Sequence, residues 1–436
     1  MTELSPTTPP LKLCITALHA YGAIDNQASQ GVGGTETRAW LLARGLAQKQ
    51  SRLDVEFVVR TSQLQQSKLI EKARVTPYVD PLFELWQEAG HLLKKQPTFP
   101  FIIPRKWTTR LITIVPQLLL SWHKRKAYGG GFRVDDQLPE ADVYLTFGVQ
   151  GHSARVIETA KQRGKPSVLF LGSDGDLEES YVLGNPEINP YGDPAELCRQ
   201  ILDQADVILC QTSHQQQILE QRFEREATLI ANPIDLNLWS PTAEVPTTAE
   251  TDQLFRKLPA KPFVLWVGRA DPVHKRPMKC VEIAQQSPEI PFVMIMNPRD
   301  PAEQLRVEQA LPPNVTLIEK VSPELMPAVF QRSLCLLNTS ALEGFANTFL
   351  QAAAMGKPIV SLCVDSPLLS EGKAGLCLNS EKPEVVQQTL SSLVEMKTLS
   401  PHIDRTVTTQ YVLQNHSLDA IITQLAQALS IAVETK

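Results

Sequence analysis

Two series of short apolar runs, separated by helix-like segments, organise most of this chain. The first series contains residues 11–18, 54–60, 143–147, 167–171 and 207–211, and the second contains residues 263–268, 292–296, 315–318, 334–338 and 359–363. Runs of this length are typical of strands that are buried on both faces, and their alternation with helices favours parallel sheets covered by helices. The sequence therefore predicts an α/β protein.

The chain length and one stretch of unusual composition predict two domains. At 436 residues the chain exceeds the usual size of a single hydrophobic core. Residues 232–262, between the two series, are rich in Pro, Thr and Ala and are typical of a linker. We place the N-terminal domain at residues 1–232 and begin the C-terminal domain at residue 233.

Overall composition restricts the partners and the compartment. The formal charge of −5 and the pI near 6.0 argue against general nucleic-acid binding, which normally needs a basic domain. The seven cysteines are scattered without paired zinc-type spacing, which is typical of reduced core residues. No signal-peptide pattern opens the chain, and no apolar run approaches the ~18 residues of a spanning helix. We therefore expect a cytoplasmic protein.

Residues 340–360 predict a ligand site just beyond a buried strand. Glu343 follows the apolar run 334–338, at the edge of a parallel sheet where ligands bind. Asn347 is a candidate N-cap for a helix that ends at Gly356. The first backbone N–H groups of that helix, around Asn347 and Thr348, lack internal acceptors and suit a phosphate.

Three further features of the N-terminal half are candidates for binding or catalysis. The glycine-rich residues 31–36 lie between the first strand and the first helix, where they form either a flexible turn or a backbone cradle. Asp174 follows the run 167–171 and is either a helix N-cap or a group for acceptor binding or acid–base work. His152 lies at a helix start, where a capping or surface role is favoured over catalysis.

The segment around Glu343 resembles the donor-site motif of the GT-B retaining glycosyltransferases of family 4, the group 1 glycosyl transferases. That motif is a Glu followed by Gly-Phe, here Glu343, Gly344 and Phe345, with a second Glu eight positions after the first. Gln351 occupies the eighth position in this chain. In the family the first acid bonds hydroxyls of the transferred sugar and the second binds the ribose diol. The amide oxygen of Gln351 remains an acceptor for a diol.

The loop after the run 263–268 is similar to a second family motif, a Gly-Arg followed by a Lys six residues after the Arg. Gly268, Arg269 and Lys275 match it, and the resemblance implies that the two cations clamp the donor diphosphate. Fixed cations would stabilise the negative charge of a departing nucleoside diphosphate. Arg269 offers a planar fork of donors, and Lys275 offers a compact charge.

Taken residue by residue, the resemblance implies a complete set of site residues. The implied catalytic set is Arg269, Lys275, Glu343 and Asp174, and the implied donor-binding set is Gly33, Gly34, Val321, Gly344, Phe345, Ala346, Asn347, Thr348 and Gln351. Val321 resembles a position that contacts the base through its backbone. Leu171 stands where many relatives carry a histidine, so that histidine is not transferred to this chain.

The resemblance also implies a fold and an activity. The fold is GT-B, with two Rossmann-like domains whose parallel sheets face each other across a cleft. Residues 1–232 would bind the acceptor, residues 233–410 the nucleotide-sugar donor, and a helix within residues 411–436 would cross back to the N-terminal domain. The activity is hexosyl transfer with retention from a nucleotide-diphosphate sugar to a glycan, lipid-linked or small-molecule acceptor, without metal or cofactor. An epimerase of the same fold and an inactive binding protein remain alternatives.

Residues 90–134 have an unusual composition that the resemblance does not explain. This insertion contains nine Lys or Arg residues, no Asp or Glu, and many interleaved aliphatic and aromatic residues. A basic and apolar surface is what peripheral docking onto an anionic membrane requires, which would place the protein at the inner face of a membrane. A partly buried subdomain with a solvated basic face is the alternative.

Overall fold

The computed structural model describes residues 9–25, 33–61, 63–95, 102–105, 107–127, 131–189, 192–341, 343, 345–395 and 402–436. The site residue Gly344 lies outside the described residues, as do residues 31–32 of the glycine-rich loop and parts of the basic insertion. The chain divides into two compact units. The first unit is Met1–Leu229 with Ala426–Lys436, and the second is Ile230–Leu425.

The first unit is built on an eight-stranded sheet with the order β10-β9-β8-β7-β1-β2-β4-β3, and β3 is antiparallel to β4 while the other neighbours are parallel. Its elements are β1 (Leu11–Thr16), α1 (Tyr21–Ile24), α2 (Gly34–Lys49), β2 (Leu53–Arg60), β3 (Lys68–Ile70), β4 (Ala73–Tyr78), α3 (Pro81–Leu92), β5 (Leu93–Lys95), β6 (Ile102–Pro104), α4 (Arg110–Ala127), β7 (Val143–Phe147), α5 (Gly151–Gln162), β8 (Ser167–Phe170), α6 (Ala195–Gln204), β9 (Val207–Cys210), α7 (Ser213–Phe223) and β10 (Thr228–Leu229). The strands β5 and β6 form a separate antiparallel pair.

The second unit is built on a six-stranded, fully parallel sheet with the order β13-β12-β11-β14-β15-β16. Its elements are α8 (Ala249–Lys257), β11 (Phe263–Arg269), α9 (Pro277–Gln285), β12 (Phe292–Asn297), α10 (Pro301–Ala310), β13 (Val315–Ile318), α11 (Met326–Arg332), β14 (Ser333–Asn338), α12 (Asn347–Ala354), β15 (Ile359–Ser361), α13 (Pro367–Ser370), β16 (Gly375–Cys377), α14 (Pro383–Val394) and α15 (Arg405–His416). A last helix, α16 (Leu418–Thr435), begins in the second unit and continues into residues that group with the first.

Strand β11 shows why its sequence is a continuous apolar run. Phe263 and Leu265 pack in one hydrophobic cluster of the second unit, whereas Val264 and Trp266 pack in another. Since alternate side chains of a strand point to opposite faces, both faces of the sheet are covered. The expectation of parallel α/β sheets is confirmed. Among the residues that the structure describes, no helix combines the length and apolar composition needed to cross a bilayer.

Residues 232–262 are not the linker that their composition suggests. Ile234, Trp239, Leu254 and Leu258 are buried in one of the second unit's hydrophobic clusters, and α8 forms part of this segment. Its apolar side chains therefore stabilise the second unit, which begins at Ile230. Residues 411–425, expected to belong to the crossover helix, group with the second unit as well.

Candidate active site

The loops that follow β11 and β14 meet at one edge of the second unit's sheet, because these two parallel strands are neighbours. A hydrogen bond of 2.9 Å from the Ala341 N–H to the His274 carbonyl joins the loops. Lys275 Nζ contacts Oε1 of Glu343, and the Ser340 hydroxyl donates to the same oxygen at 2.6 Å. The Glu343 side chain is 13% exposed. The structure thus brings Lys275 and Glu343, which are 68 residues apart in sequence, into one ion pair.

Arg269, the last residue of β11, is the more accessible cation of this edge. Its side chain is 47% exposed, and its Nη2 lies 3.7 Å from Oδ2 of Asp271. Burial raises the pKa of Asp271, but hydrogen bonds from the backbone N–H groups of His274 and Val273 and the nearby positive charges more than offset this, so the pKa lies below its usual value. Asp271 is therefore ionised at neutral pH and fixes the loop through the backbone.

A buried network holds the loop of Lys275 against the end of β14. The indole N–H of Trp266 donates to the Thr339 hydroxyl at 2.8 Å, and this hydroxyl donates to the Lys275 carbonyl at 2.7 Å. Arg276 has a left-handed backbone (φ 51°), and its Nε donates to the Thr339 carbonyl at 2.7 Å. A Cβ on Gly268 would come within 2.7 Å of the Trp266 ring, so only glycine fits there.

The start of α12 differs from the sequence expectation. Ala346, not Asn347, is the N-cap, and among the described residues no side chain caps this helix. The Asn347 side chain instead accepts a hydrogen bond of 2.9 Å from Nδ2 of Asn232, which is 115 residues away. The expected capping role of Asn347 is wrong because this partner from elsewhere in the second unit competes for its oxygen. The first-turn N–H groups, which include that of Thr348, are left without side-chain acceptors.

The remaining predicted donor-binding residues surround this helix or the core beneath it. The ring of Phe345 lies 5.6 Å from that of His416, whose Nδ1 is 2.9 Å from the Asn232 carbonyl oxygen. Gln351 is half-buried on α12, one turn after Asn347. Val321 follows β13 and packs against the second unit's core. Gln351 therefore lies on the helix with the uncapped N-terminus and Phe345 lies just before its N-cap, whereas Val321 lies on the loop after a different strand.

In the first unit, a carboxylate that the sequence analysis did not single out organises the strand ends. Asp176 is 5% exposed and accepts hydrogen bonds from the backbone N–H groups of Val149 at 3.1 Å, Gly172 at 2.5 Å and Ser173 at 3.4 Å. Asp176 and Ser173 form a capping box for the short 3-10 turn Asp174–Leu177. Burial raises the pKa of Asp176. This side chain ties the loops after β7 and β8 together.

Arg38 is a second buried charge at the same edge. Its Nη2 donates to the Leu171 carbonyl at 2.5 Å, and its guanidinium carbon lies 4.4 Å from the centre of the Phe170 ring. Burial lowers the pKa of Arg38 to about 9, while the negative charge of Asp176 acts in the opposite direction. Gly33 is the N-cap of the helix that carries Arg38, and Gly34 is its first residue.

The structure places the two other first-unit candidates in fixed environments. Asp174 is half-buried and accepts a hydrogen bond of 2.9 Å from Nε2 of Gln215, while Ser173 rather than Asp174 is the N-cap. His152 is the second residue of α5. Burial, together with the nearby positive charges of Arg60 and Arg155, lowers the pKa of His152 to about 3, so its ring is neutral at pH 7.

A family model matches the segment that contains all strands of the second unit's sheet. Residues 261–396 match the family model described as "Glycosyl transferases group 1". The chain is 24% identical over 227 residues to a D-inositol 3-phosphate glycosyltransferase of Corynebacterium efficiens, covering 48% of this chain and 53% of that protein. The same-named protein of Corynebacterium urealyticum is 24% identical over 217 residues, covering 45% and 50%. The chain thus matches about half the length of these curated relatives.

Solved structures share the fold over nearly the whole chain. Sucrose-phosphate synthase from Thermosynechococcus elongatus aligns with a TM-score of 0.65 at 17% identity, covering 98% of this chain and 100% of that one. Anabaena HepE in complex with UDP aligns with a TM-score of 0.60 at 14% identity, covering 96% and 99%. The expectation of a GT-B fold is confirmed.

The segment that matches this family model contains only part of the predicted site. Arg269, Lys275, Val321, Glu343 and Gln351 lie within residues 261–396. The first-unit candidates lie outside that segment; they are Gly33, Gly34 and Asp174. The second-unit motif residues thus lie within the matched segment, and two of them, Lys275 and Glu343, are in contact.

Proposed function

We propose that this protein is a retaining glycosyltransferase that moves a hexosyl group from a nucleoside-diphosphate sugar to an acceptor hydroxyl. The observation that carries the proposal is the ion pair between Lys275 and Glu343, placed beside Arg269 at the ends of two neighbouring strands in the segment that matches the group 1 family model. At this edge of the sheet, the two cations can bind a diphosphate and the carboxylate of Glu343 can accept hydrogen bonds from sugar hydroxyls.

The cations act on the diphosphate end of the donor. As the bond from the sugar to the diphosphate breaks, negative charge develops on the leaving group, and the cations of Arg269 and Lys275 stabilise it without a metal or a cofactor. The uncapped N-terminus of α12 adds backbone N–H groups and a positive dipole for a phosphate. In this proposal the cationic side chains supply the electrostatic stabilisation.

Glu343 is the group for the transferred sugar. Lys275 and Ser340 both contact Oε1 of this carboxylate, so we assign Oε2 to a sugar hydroxyl. Gln351, on the same helix as the phosphate-binding N–H groups, would accept from the ribose diol. The second unit then binds the donor, and the first unit, with Asp174, binds the acceptor.

A solved structure of similar fold suggests which donor to test first. HepE of Anabaena has structures in complex with UDP and with UDP-glucose. We therefore propose a uridine nucleotide sugar as the first candidate donor. The acceptor class stays open among glycans, lipid-linked sugars and small molecules.

Thermal shift with UDP, GDP, ADP and their hexose conjugates tests the proposal, because a ligand that binds the native state raises its apparent stability. We expect one nucleoside diphosphate to raise Tm, and Arg269→Ala to abolish that increase. The matched control is Lys279→Ala, which removes a cation paired with Glu282 at 3.1 Å on α9, outside the site. If no nucleotide raises Tm and Arg269→Ala changes nothing, the chain is a binding protein that has lost donor recognition. Release of an epimeric sugar without acceptor would instead identify an epimerase.

A further inference from the structure

The helix α4 has an apolar face on each side, and only one of them is covered. On one side Ile114 and Leu118 are buried in a small cluster with Ala89 of α3. On the other side Ile112, Val115 and Leu119 repeat at helical spacing and are 76%, 42% and 68% exposed. These three residues, here called the outer row, are therefore not needed to attach α4 to α3.

Exposed apolar side chains are concentrated in this part of the chain. Six of the nineteen large hydrophobic side chains that are exposed among the described residues fall within residues 102–120. Besides the outer row these are Ile102, Leu120 and Trp107, the last being 87% exposed. Single exposed hydrophobic residues need no explanation, but a cluster of this kind marks an interaction surface.

The charge around the outer row identifies the partner class. Residues 90–134 carry nine Lys or Arg and no Asp or Glu, although the whole chain has a formal charge of −5. Lys124, Arg125 and Lys126 belong to the end of α4, and Arg105 is exposed just before it. Arg110 is one of the nine, but both its Nε and Nη2 donate to Glu88 at 2.7 Å, so its charge is compensated within the first unit. A strongly basic segment attracts an anionic surface.

Two copies of this chain would meet unfavourably through the same surface. A symmetric dimer brings identical segments together, so both basic segments would face each other. An anionic bilayer supplies the opposite charge and, beneath it, the hydrocarbon that aliphatic side chains prefer. The exposed Trp107 is the residue type that is enriched at membrane–water interfaces.

We propose that residues 102–105 and 107–121 form a docking surface for an anionic lipid bilayer, with the outer row of α4 inserted at the headgroup level and the basic charge of the segment 90–134 attracted to anionic headgroups. The surface lies within the first unit. It would hold the enzyme at a membrane without a spanning helix. Because docking uses none of the proposed site residues, it stands or fails independently of the transferase activity.

Vesicle co-sedimentation of the full chain tests the proposal with two lipid compositions, phosphatidylcholine alone and phosphatidylcholine with about one third phosphatidylglycerol. We expect binding only to the anionic vesicles, falling by roughly tenfold or more between low and high salt because surface charges are screened. Equal partition onto both compositions, or no partition onto either, overturns the proposal.

Two triple variants separate the apolar and charged contributions. We expect Ile112→Ser/Leu119→Ser/Leu120→Ser to lower partition onto anionic vesicles at least tenfold, and Lys124→Ala/Arg125→Ala/Lys126→Ala to do the same and to flatten the salt dependence. The matched apolar control is Val182→Ser/Leu183→Ser/Ile188→Ser, on exposed residues elsewhere in the first unit. The matched charge control is Arg256→Ala/Lys257→Ala/Lys261→Ala, on exposed residues of the second unit.

Three outcomes of these variants contradict the proposal. A control triple that lowers partition as much as its test triple shows that the surface is not specific. A dimer that dissociates in the Ile112 triple variant, seen by sedimentation velocity without lipid, identifies a second copy as the occupant. Binding to a homopolymeric RNA that depends on the Lys124 triple but not on the Ile112 triple identifies a polyanion site. Unchanged circular dichroism confirms that each variant is folded. If the Ile112 triple variant does not fold, the single Leu119→Ser variant replaces it.

Discussion

At the carboxyl ends of the first unit's strands, Asp176 is 5% exposed and its oxygens accept three backbone N–H groups. At the carboxyl ends of the second unit's strands, the Arg269 side chain is 47% exposed and Lys275 contacts a carboxylate through its side chain. Both edges follow the same parallel topology, but the first directs its charge inward to the backbone, whereas the second holds a side-chain ion pair and leaves the Arg269 guanidinium half-exposed. Equivalent positions at the carboxyl ends of two similar sheets therefore need not share a role.

Lys275→Ala tests whether the ion pair of the second unit serves catalysis, and we expect a large loss of activity. Removing one preorganised charge that stabilises a developing anion lowers kcat by about 10²–10³-fold, and because Glu343 is largely buried the loss of its partner also lowers stability. We expect a moderate fall in Tm together with that loss of turnover at temperatures where the variant is still folded, measured by thermal melting and by nucleoside diphosphate release. Lys279→Ala is the control. A large fall in Tm with retained turnover would show that the pair is structural.

Asp176→Ala tests the opposite role in the first unit. It leaves three backbone donors without their acceptor and removes the negative charge near buried Arg38. We expect a loss of about 3 kcal/mol in the free energy of unfolding, measured by urea denaturation, and unchanged nucleotide affinity. The control is Asp174→Ala, which loses one hydrogen bond from Gln215 and should cost about 1 kcal/mol. A similar cost for both variants contradicts the special role of Asp176.

The pH dependence of stability tests whether His152 of the first unit is held neutral in the folded protein. Its pKa is lowered from the ordinary value of 6.5 to about 3 by burial and nearby cations, so the unfolded chain binds a proton more readily than the native state. Stability should therefore fall as pH decreases from 7 through this interval, by roughly 1–2 kcal/mol between pH 7 and pH 5. His152→Gln should reduce that fall in urea denaturation at the two pH values, whereas the exposed His214→Gln should not. Equal pH dependence in both variants would argue against this assignment.

Gln351→Glu tests the proposed ribose contact in the donor site, and we expect only a small change in binding. A carboxylate accepts a hydrogen bond from a diol more strongly than an amide does. We expect nucleotide Kd, measured by calorimetry, to decrease by less than about tenfold, and Gln351→Leu to weaken binding instead. Weaker binding in Gln351→Glu would show that the amide donates a hydrogen bond and that the family's ribose role does not carry over.

The sequence was sufficient for the sheets because burial on both faces leaves continuous apolar runs, such as that of β11. It was less informative where an element is short or polar, as in β3, or where core residues are dispersed, as with Trp239 and Leu254 in the supposed linker. There the contacts that decide the structure come from residues far away in the chain.

The same distinction holds for the candidate site. That Lys275 and Glu343 belong to one site was implied by the two family motifs that they match. The choice of Asp176 over Asp174 as the buried carboxylate depends on which way a single turn directs each side chain. The S-x-x-D spacing from Ser173 to Asp176 was the available signal, since it is close to a capping box. The lost capping role of Asn347 depends on Asn232, a partner 115 residues away that no local pattern indicates.

Trp266 gives the proposed donor site an internal optical probe. The indole is buried, and two hydrogen bonds through Thr339 connect it to the Lys275 backbone. Because indole emission responds to hydrogen bonding and to nearby charge, arrival of a diphosphate beside Lys275 should change the fluorescence of a residue that is already in place. Donor binding could then be followed in real time without a label, with Trp266→Phe as the silent reference.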